Sequence, residues 1–249
     1  MPVLRVGNAS IEECKLVIFD KDGTLVDQHP LLLQLARARR NCIREHGGEE
    51  IANLWEKIVG VNLKTGKIDY NGPLGSIPRS EELLVASAAF YLSDFSWDDA
   101  TRTTRKAYDE ADRSLKPPFG SVLLEGATET LNQLRQHGLK LAVATTDTHE
   151  RTVKSLEALR IDSFFDVIIG GDDVRRVKPA ADMVVSILEK TGCKSRDTVM
   201  VADSISDMQM GKNAQVKMCV GVLTGSASRE KLLKVAEIVI PSVRSLRAV

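Results

Sequence analysis

From Gly126 to the end of the chain, two hydrophobic periods alternate. Leu139–Ala144, Val167–Ile169, Thr198–Val201, Val216–Val220 and Ile238–Ile240 are short apolar or β-branched runs, the pattern of strands buried on both faces. Between them, Ala127–Gln136, His149–Leu159, Ala180–Lys190, Ser206–Asn213 and Arg229–Val235 carry apolar residues at helical spacing. Gly138 and Gly192 stand just past two of these segments, the C-terminal position that glycine favours. Strand, helix, strand repeated in this way predicts an α/β fold with a Rossmann-like doubly wound parallel sheet and helices on both faces. The run Leu16–Phe19 adds a strand to that sheet, and Leu4–Val6 predicts a further edge strand.

The stretch between these parts has a different texture. Leu31–Arg44 is helical, with Leu31, Leu32, Leu35, Ala38 and Cys42 on its apolar face and Arg37, Arg40 and Arg44 on a solvated one. Ile51–Val59, Glu81–Leu92 and Trp97–Leu115 continue the helical pattern, the last with Ser96 as N-cap and Asp98 and Asp99 in its first turn. Gly60–Pro78 breaks it with repeated glycine and proline and predicts a small hairpin or a long loop. Lys116–Gly120 reads as a stiff hinge. The expected organisation is therefore a catalytic core of residues 1–27 and 119–249, with a helical domain of residues 28–118 inserted after the first buried strand.

Composition narrows the class. The 249 residues hold 34 basic and 34 acidic side chains, a balance that offers no electrostatic footprint for nucleic acid. No apolar run approaches the roughly 18 residues of a membrane span, and no basic start leads into a secretory signal. The four cysteines are scattered without metal-ligand spacing, so reduced thiols in a cytoplasmic protein are expected.

Candidate chemistry collects where the predicted strands end. Asp20-Lys21-Asp22-Gly23-Thr24 follows Leu16–Phe19, and Gly23 lets the backbone turn sharply between the two carboxylates and the next segment. In open α/β sheets ligands bind beyond the carboxyl ends of the strands. Thr145-Thr146-Asp147 follows Leu139–Ala144, Lys178-Pro179 opens the helix expected near Ala180, and Asp203-Ser204-Ile205-Ser206-Asp207 follows Thr198–Ala202. Thr145 and Asp203 also read as helix caps when each is taken alone. Two carboxylates four apart at a strand end suit a hard cation bound by oxygen. Lys21 points opposite its neighbours if strand geometry persists, and is read as non-catalytic.

The four segments, in this order and each at a strand end, resemble the four signatures of the haloacid dehalogenase superfamily. The likeness spans essentially the whole chain, and the placement of the helical insertion, a C1-type cap, is most similar to phosphoglycolate phosphatase-type members. The resemblance implies an Mg2+-dependent phosphatase acting on a small phosphorylated metabolite, phosphoglycolate-like or a sugar phosphate. Asp20 would be the nucleophile that forms an aspartyl-phosphate, and Asp22 the acid and then base. Thr145, with Thr146, and Lys178 would hold the phosphoryl group. Asp20, Asp203 and the backbone carbonyl of Asp22 would hold Mg2+, with Asp207 in support. Asp22 argues for C–O–P cleavage, since dehalogenases of the superfamily have an aromatic residue there and phosphonate hydrolases an alanine. Ala202, Ala181 and Thr146 depart from a common glycine, proline and asparagine, and none of them removes a charged group.

The alternatives are a β-phosphoglucomutase-like phosphosugar mutase and a catalytically idle binding module. Against the second, every charged position of the signatures is retained. No nucleic acid and no membrane is expected as partner, and a monomer and a homodimer both stand open. In the insertion thirteen basic residues balance thirteen acidic ones, so its net charge names no substrate. Lys64 and Lys67 are within reach of a substrate carboxylate or second phosphate but are read as solvated loop residues, and His29 stands open between the site entrance and a surface or hinge role.

Overall fold

Leu16, Val17, Ile18 and Phe19 are wholly buried, as consecutive apolar residues must be in a strand covered on both faces. The computed structural model describes residues 3–70, 72–77, 79–115 and 122–249. Along the chain, β1 (Leu4–Val6), β2 (Ala9–Ile11), β3 (Leu16–Phe19) and β4 (Val26–Asp27) lead into α1 (Gln28–Val59), β5 (Val61–Asn62), β6 (Lys67–Ile68), α2 (Pro73–Ser76), α3 (Arg79–Tyr91) and α4 (Trp97–Ser114). Then come β7 (Val122–Leu123), α5 (Ala127–Gln136), β8 (Lys140–Ala144), α6 (His149–Ala158) and β9 (Val167–Ile169). The chain closes with α7 (Asp182–Thr191), β10 (Thr198–Ala202), α8 (Ile205–Asn213), β11 (Met218–Val222), α9 (Arg229–Leu232), β12 (Ile238–Ile240) and β13 (Leu246–Ala248). No helix among the described residues is long and apolar enough to cross a membrane.

The chain divides into two compact units, Met1–Gln28 with Ser121–Val249, and His29–Gly120. The first is built on a six-stranded parallel sheet of order β12-β11-β10-β3-β8-β9. This is the α/β architecture the alternating periods predict. From β3 the chain builds outward through β8 and β9, then returns to β10 and builds the other way. The order reverses beside β3, and such a switch point opens a crevice at the carboxyl ends of the strands. Alternate residues serve opposite faces. Val17, Phe19, Val143 and Val201 pack with Leu131, Leu134 and Leu156 from α5 and α6. Leu16, Ile18, Ala142 and Met200 pack with Met183, Ile187 and Met208 from α7 and α8.

Three expectations change. Leu4–Val6 is a strand, but it joins β2 and β13 in a separate three-stranded antiparallel sheet rather than edging the parallel one. The fifth strand lies two residues later than its apolar run, at Met218–Val222. The amide of Val216 closes the end of α8 by donating to Gly211 O, and that of Lys217 reaches Ser195 O and Thr198 O. The helix expected near Ala180 begins at Asp182, so Pro179 stands before its first turn, and the Lys178–Pro179 peptide is cis.

The second unit is helical. The helix α1 is broken at Gly48, whose φ of +84° is left-handed, so it forms the two helical segments that the sequence separates. The α4 N-cap is Ser96, whose Oγ accepts from Asp99 N at 3.2 Å. Within Gly60–Pro78 the short hairpin β5–β6 forms. The buried face of α1 carries Ala36, Arg39 and Ile43, whereas the predicted apolar face is half-buried. Arg39 stacks over the Tyr108 ring at 4.3 Å and pairs with Glu82 at 2.5 Å. Glu82 also accepts from Tyr108 OH at 2.8 Å, and Trp55 Nε1 donates to the same hydroxyl at 2.9 Å. His29 Nδ1 lies 2.7 Å from Tyr70 OH. The expected hinge Lys116–Gly120 lies outside the described residues.

Candidate active site

Beyond Phe19 the chain leaves the sheet through a tight loop. Asp20 N still donates to Val201 O, at 3.0 Å, so Asp20 is held in line with β3. The amides of Leu25 and Val26 then return to Lys21 O at 2.9 and 3.0 Å. Gly23 makes the turn with φ +82°, and a side chain there would meet the Asp203 carboxyl carbon at 2.8 Å. The sharp turn expected of Gly23 is therefore also a close approach between two loops.

The carboxylates at the ends of β3 and β10 meet around one lysine. Lys178 Nζ lies 2.6 Å from Asp20 Oδ1 and 2.6 Å from Asp207 Oδ1, and all three side chains are less than a tenth exposed. Oxygens of Asp20, Asp203 and Asp207 all fall within 4.8 Å of one another. Asp207 Oδ2 accepts from Ser204 Oγ at 2.6 Å. Ser204 is also the N-cap of α8, accepting from Asp207 N at 3.3 Å. Asp203 is thus not the cap that its position beside a helix suggests.

Asp203 is held instead by a loop that sequence reasoning passed over. Ser226 donates to Asp203 Oδ2 twice, through its amide at 2.6 Å and its hydroxyl at 3.0 Å. Thr224 Oγ1 donates to Gly23 O at 2.6 Å, which ties the same loop to the β3 turn. Between them, Gly225 packs so closely that a Cβ would stand 2.0 Å from Asp203 Oδ2. The signal available in the sequence was Thr224-Gly225-Ser226 just past an apolar strand run, at the same edge as the other motifs.

Thr145 is buried at the end of β8, where its amide donates to Ile169 O at 3.0 Å and its Oγ1 accepts from Asp147 N at 3.2 Å. It does not cap α6, which is capped by Thr148. Thr146 is exposed, and its carbonyl faces Gly171. The Asp22 side chain stands apart from the Asp20–Asp203–Asp207 group and pairs with Lys21 at 2.7 Å. Lys21 departs from the strand-alternation expectation: its side chain is 2% exposed, and its ammonium bends back to the acidic loop.

The electrostatics follow from three buried carboxylates and one buried ammonium. Burial, and then Asp207, Asp203 and Asp22, hold the Asp20 carboxyl well above the usual range against the pull of Lys178. Burial also raises Asp203, in opposition to its Ser226 hydrogen bonds. Burial would lower the Lys178 ammonium, but Asp20 and Asp207 outweigh it and the net shift is upward. With all three carboxylates ionised, as cation binding requires, the group around one lysine carries an excess of two negative charges. An all-oxygen donor set with that excess fits a hard divalent cation, and no sulfur or imidazole competes within the group.

Known proteins resemble this chain over most of its length. Residues 87–221 match the family described as haloacid dehalogenase-like hydrolase. The pyrophosphatase PpaX of Halalkalibacterium halodurans is 42% identical over 210 residues, covering 84% of this chain and 83% of that protein. The phosphoglycolate phosphatase of Escherichia coli K12 is 28% identical over 204 residues, covering 82% and 79%. A haloacid dehalogenase superfamily hydrolase of subfamily IA from Geobacter sulfurreducens shares the fold, with a TM-score of 0.62 at 21% identity over 93% of this chain and 94% of that one.

Proposed function

This chain belongs to the haloacid dehalogenase-like hydrolases and is a phosphatase, and on that premise we propose that it hydrolyses a small phosphorylated molecule with Asp20 as nucleophile and Mg2+ as cofactor. The observation that carries this reading is the buried cluster in which Lys178 bridges Asp20 and Asp207 while Asp203 faces them, at the sheet's switch point. The names of the relatives direct the substrate reading to pyrophosphate and phosphoglycolate, beside the sugar phosphates that the sequence resemblance allows.

Asp20 attacks phosphorus, and the bond to the leaving oxygen breaks as Asp22 delivers a proton to that oxygen. The Asp22 carboxylate then takes a proton from the water that attacks the aspartyl-phosphate, which frees phosphate and restores Asp20. Lys178 fixes Asp20 through Oδ1 and brings positive charge to the phosphoryl oxygens. Thr145 supplies a hydroxyl at the end of the neighbouring strand. Asp20, Asp203 and the carbonyl of Asp22 would hold the cation, with Asp207 orienting Lys178. Mg2+ held there would offset the repulsion between an anionic nucleophile and an anionic substrate. Ser226, Thr224 and Gly225 keep Asp203 in place.

The test is phosphate release from pyrophosphate, phosphoglycolate, sugar phosphates and p-nitrophenyl phosphate, with and without Mg2+. Mg2+-dependent release that Asp20→Asn abolishes is expected. Release that survives this substitution would remove Asp20 from the reaction.

A further inference from the structure

Lys21 has no role in the reaction as derived above, yet its side chain is only 2% exposed, against 5% for Lys178. Its Nζ lies 2.7 Å from Asp22 Oδ2 and 2.9 Å from Oδ1, so it grips both oxygens of one carboxylate. Asp147 Oδ2 stands 3.7 Å from the same ammonium. Asp147 is itself tied down, by Arg151 Nε at 3.2 Å and through its amide to Thr145 Oγ1 at 3.2 Å. One ammonium therefore joins the turn that carries Asp22 to the turn that carries Thr145.

A carboxylate that is 29% exposed at a loop tip has rotamers to choose among. Proton transfer in the transition state requires one of them, with the carboxyl within about 2.6–3.2 Å of the leaving oxygen. Lysine is a compact charge with three donors, and three donors allow both oxygens of Asp22 and a second carboxylate to be engaged at once. Its own freedom is removed by burial, so the geometry it imposes is fixed before substrate arrives.

We propose that Lys21 is a positioning residue for the acid–base step: it sets where the Asp22 carboxylate lies and keeps that position in register with the Thr145 turn. The inference rests on the reading of Asp22 as the group that protonates the leaving oxygen. In that step the Asp20–phosphorus bond forms, the phosphorus–oxygen ester bond breaks, and the Asp22 proton moves to the departing oxygen. An alkoxide needs that proton, whereas a nitrophenolate departs without it. A residue that acts through Asp22 must therefore matter in proportion to the basicity of the leaving group, while a residue that only supports the fold affects every substrate alike.

The experiment measures kcat/KM at saturating Mg2+ on phosphate esters of graded leaving-group basicity, from p-nitrophenyl phosphate to alkyl phosphates. The proteins are the wild type, Lys21→Met, Asp22→Asn and the double variant. General acid catalysis contributes about 10²–10⁴-fold, so the Lys21→Met loss is expected to grow from under about threefold on the nitrophenyl ester to about thirtyfold or more on alkyl esters. In the Asp22→Asn background the same change should cost nothing further, the signature of two residues acting as one unit. Asp147→Asn removes a second anchor of the ammonium and leaves the Lys21–Asp22 contact, so a weaker steepening of the same sign is expected, and it decides the matter if Lys21→Met does not fold. A uniform loss across the series, an equal further loss on top of Asp22→Asn, or an unsteepened Asp147→Asn series with Lys21→Met unfolded would overturn the proposal. If Asp22→Asn itself shows no dependence on the leaving group, the acid–base reading of Asp22 falls and the proposal falls with it, a result distinct from a Lys21-specific failure.

Discussion

Replacing Gly225 by alanine puts a methyl group where the protein has no space for one. The new carbon would stand 2.0 Å from Asp203 Oδ2, 2.3 Å from Cγ and 2.6 Å from Cβ. Non-bonded contact is comfortable from about 3.5 Å, so the loop and the carboxylate must separate by about 1.5 Å. The Gly23 turn crowds the same carboxyl, since a carbon built there would stand 2.8 Å from Asp203 Oδ2. Either Asp203 leaves the group it forms with Asp20 and Asp207, or residues 224–226 withdraw and both Ser226 hydrogen bonds break. Misplacing a catalytic group by an ångström costs about 10²-fold in rate, and overpacking costs about 1–3 kcal/mol of stability. The assay is hydrolysis of p-nitrophenyl phosphate across an Mg2+ titration, beside thermal unfolding. Gly225→Ala should lose about a hundredfold in kcat/KM and need more Mg2+ for half-saturation. Gly138→Ala is the control: its φ, unlike that of Gly225, is left-handed, at +80°, but nothing lies within 4 Å of the added carbon. It should lose about 1 kcal/mol of stability and no activity. Wild-type rate and wild-type Mg2+ half-saturation in Gly225→Ala would refute the assignment of this loop to the site.

Two further outcomes follow from buried charge. In the metal-free protein the Asp20 carboxyl is raised by burial and by the carboxylates around it. The folded form then holds that proton more tightly than the unfolded chain does, so metal-free stability falls as pH rises from the ordinary carboxylate value through the raised one. Mg2+ requires the carboxylate, so the gain in Tm from a fixed Mg2+ concentration should grow across the same window. Melts with and without Mg2+ from acidic to neutral pH check both signs, and a constant gain contradicts the account. In the helical unit, Arg39→Met would leave Glu82 buried without its cation and cost about 3–5 kcal/mol in urea unfolding, while the double change with Glu82→Leu should recover most of it.

The strands that build the site were legible because their burial on both faces removes ambiguity. Leu16–Phe19, Leu141–Ala144 and Thr198–Ala202 are buried along their whole length, a placement that only a sheet covered on both faces provides. The residues that end those strands, Asp20, Thr145 and Asp203, inherit their placement from them. What the pattern could not carry was contact between segments distant in sequence. Gly225 and Ser226 matter because they approach Asp203, and nothing local in Thr224-Gly225-Ser226 distinguishes that approach from an ordinary loop. Nothing local sets Arg39 apart from Arg37 and Arg40 beside it, and it is buried because Glu82 and Tyr108 arrive from other helices. Lys21 was read by strand alternation, which ends at Phe19. Beyond it the chain turns, and a four-carbon stem is long enough to return its charge to Asp22.

In the proposed reaction Asp20 becomes phosphorylated during turnover. The most direct measurement is to quench the enzyme in steady state with Mg2+ and substrate, reduce it with borohydride, and sequence the peptide that spans residue 20 by mass spectrometry. An aspartyl-phosphate is reduced to homoserine, so the account predicts homoserine at position 20 that depends on substrate and Mg2+ and is absent from Asp20→Asn. Steady Mg2+-dependent turnover with Asp20 unmodified, or homoserine at Asp203 or Asp207 instead, would contradict it.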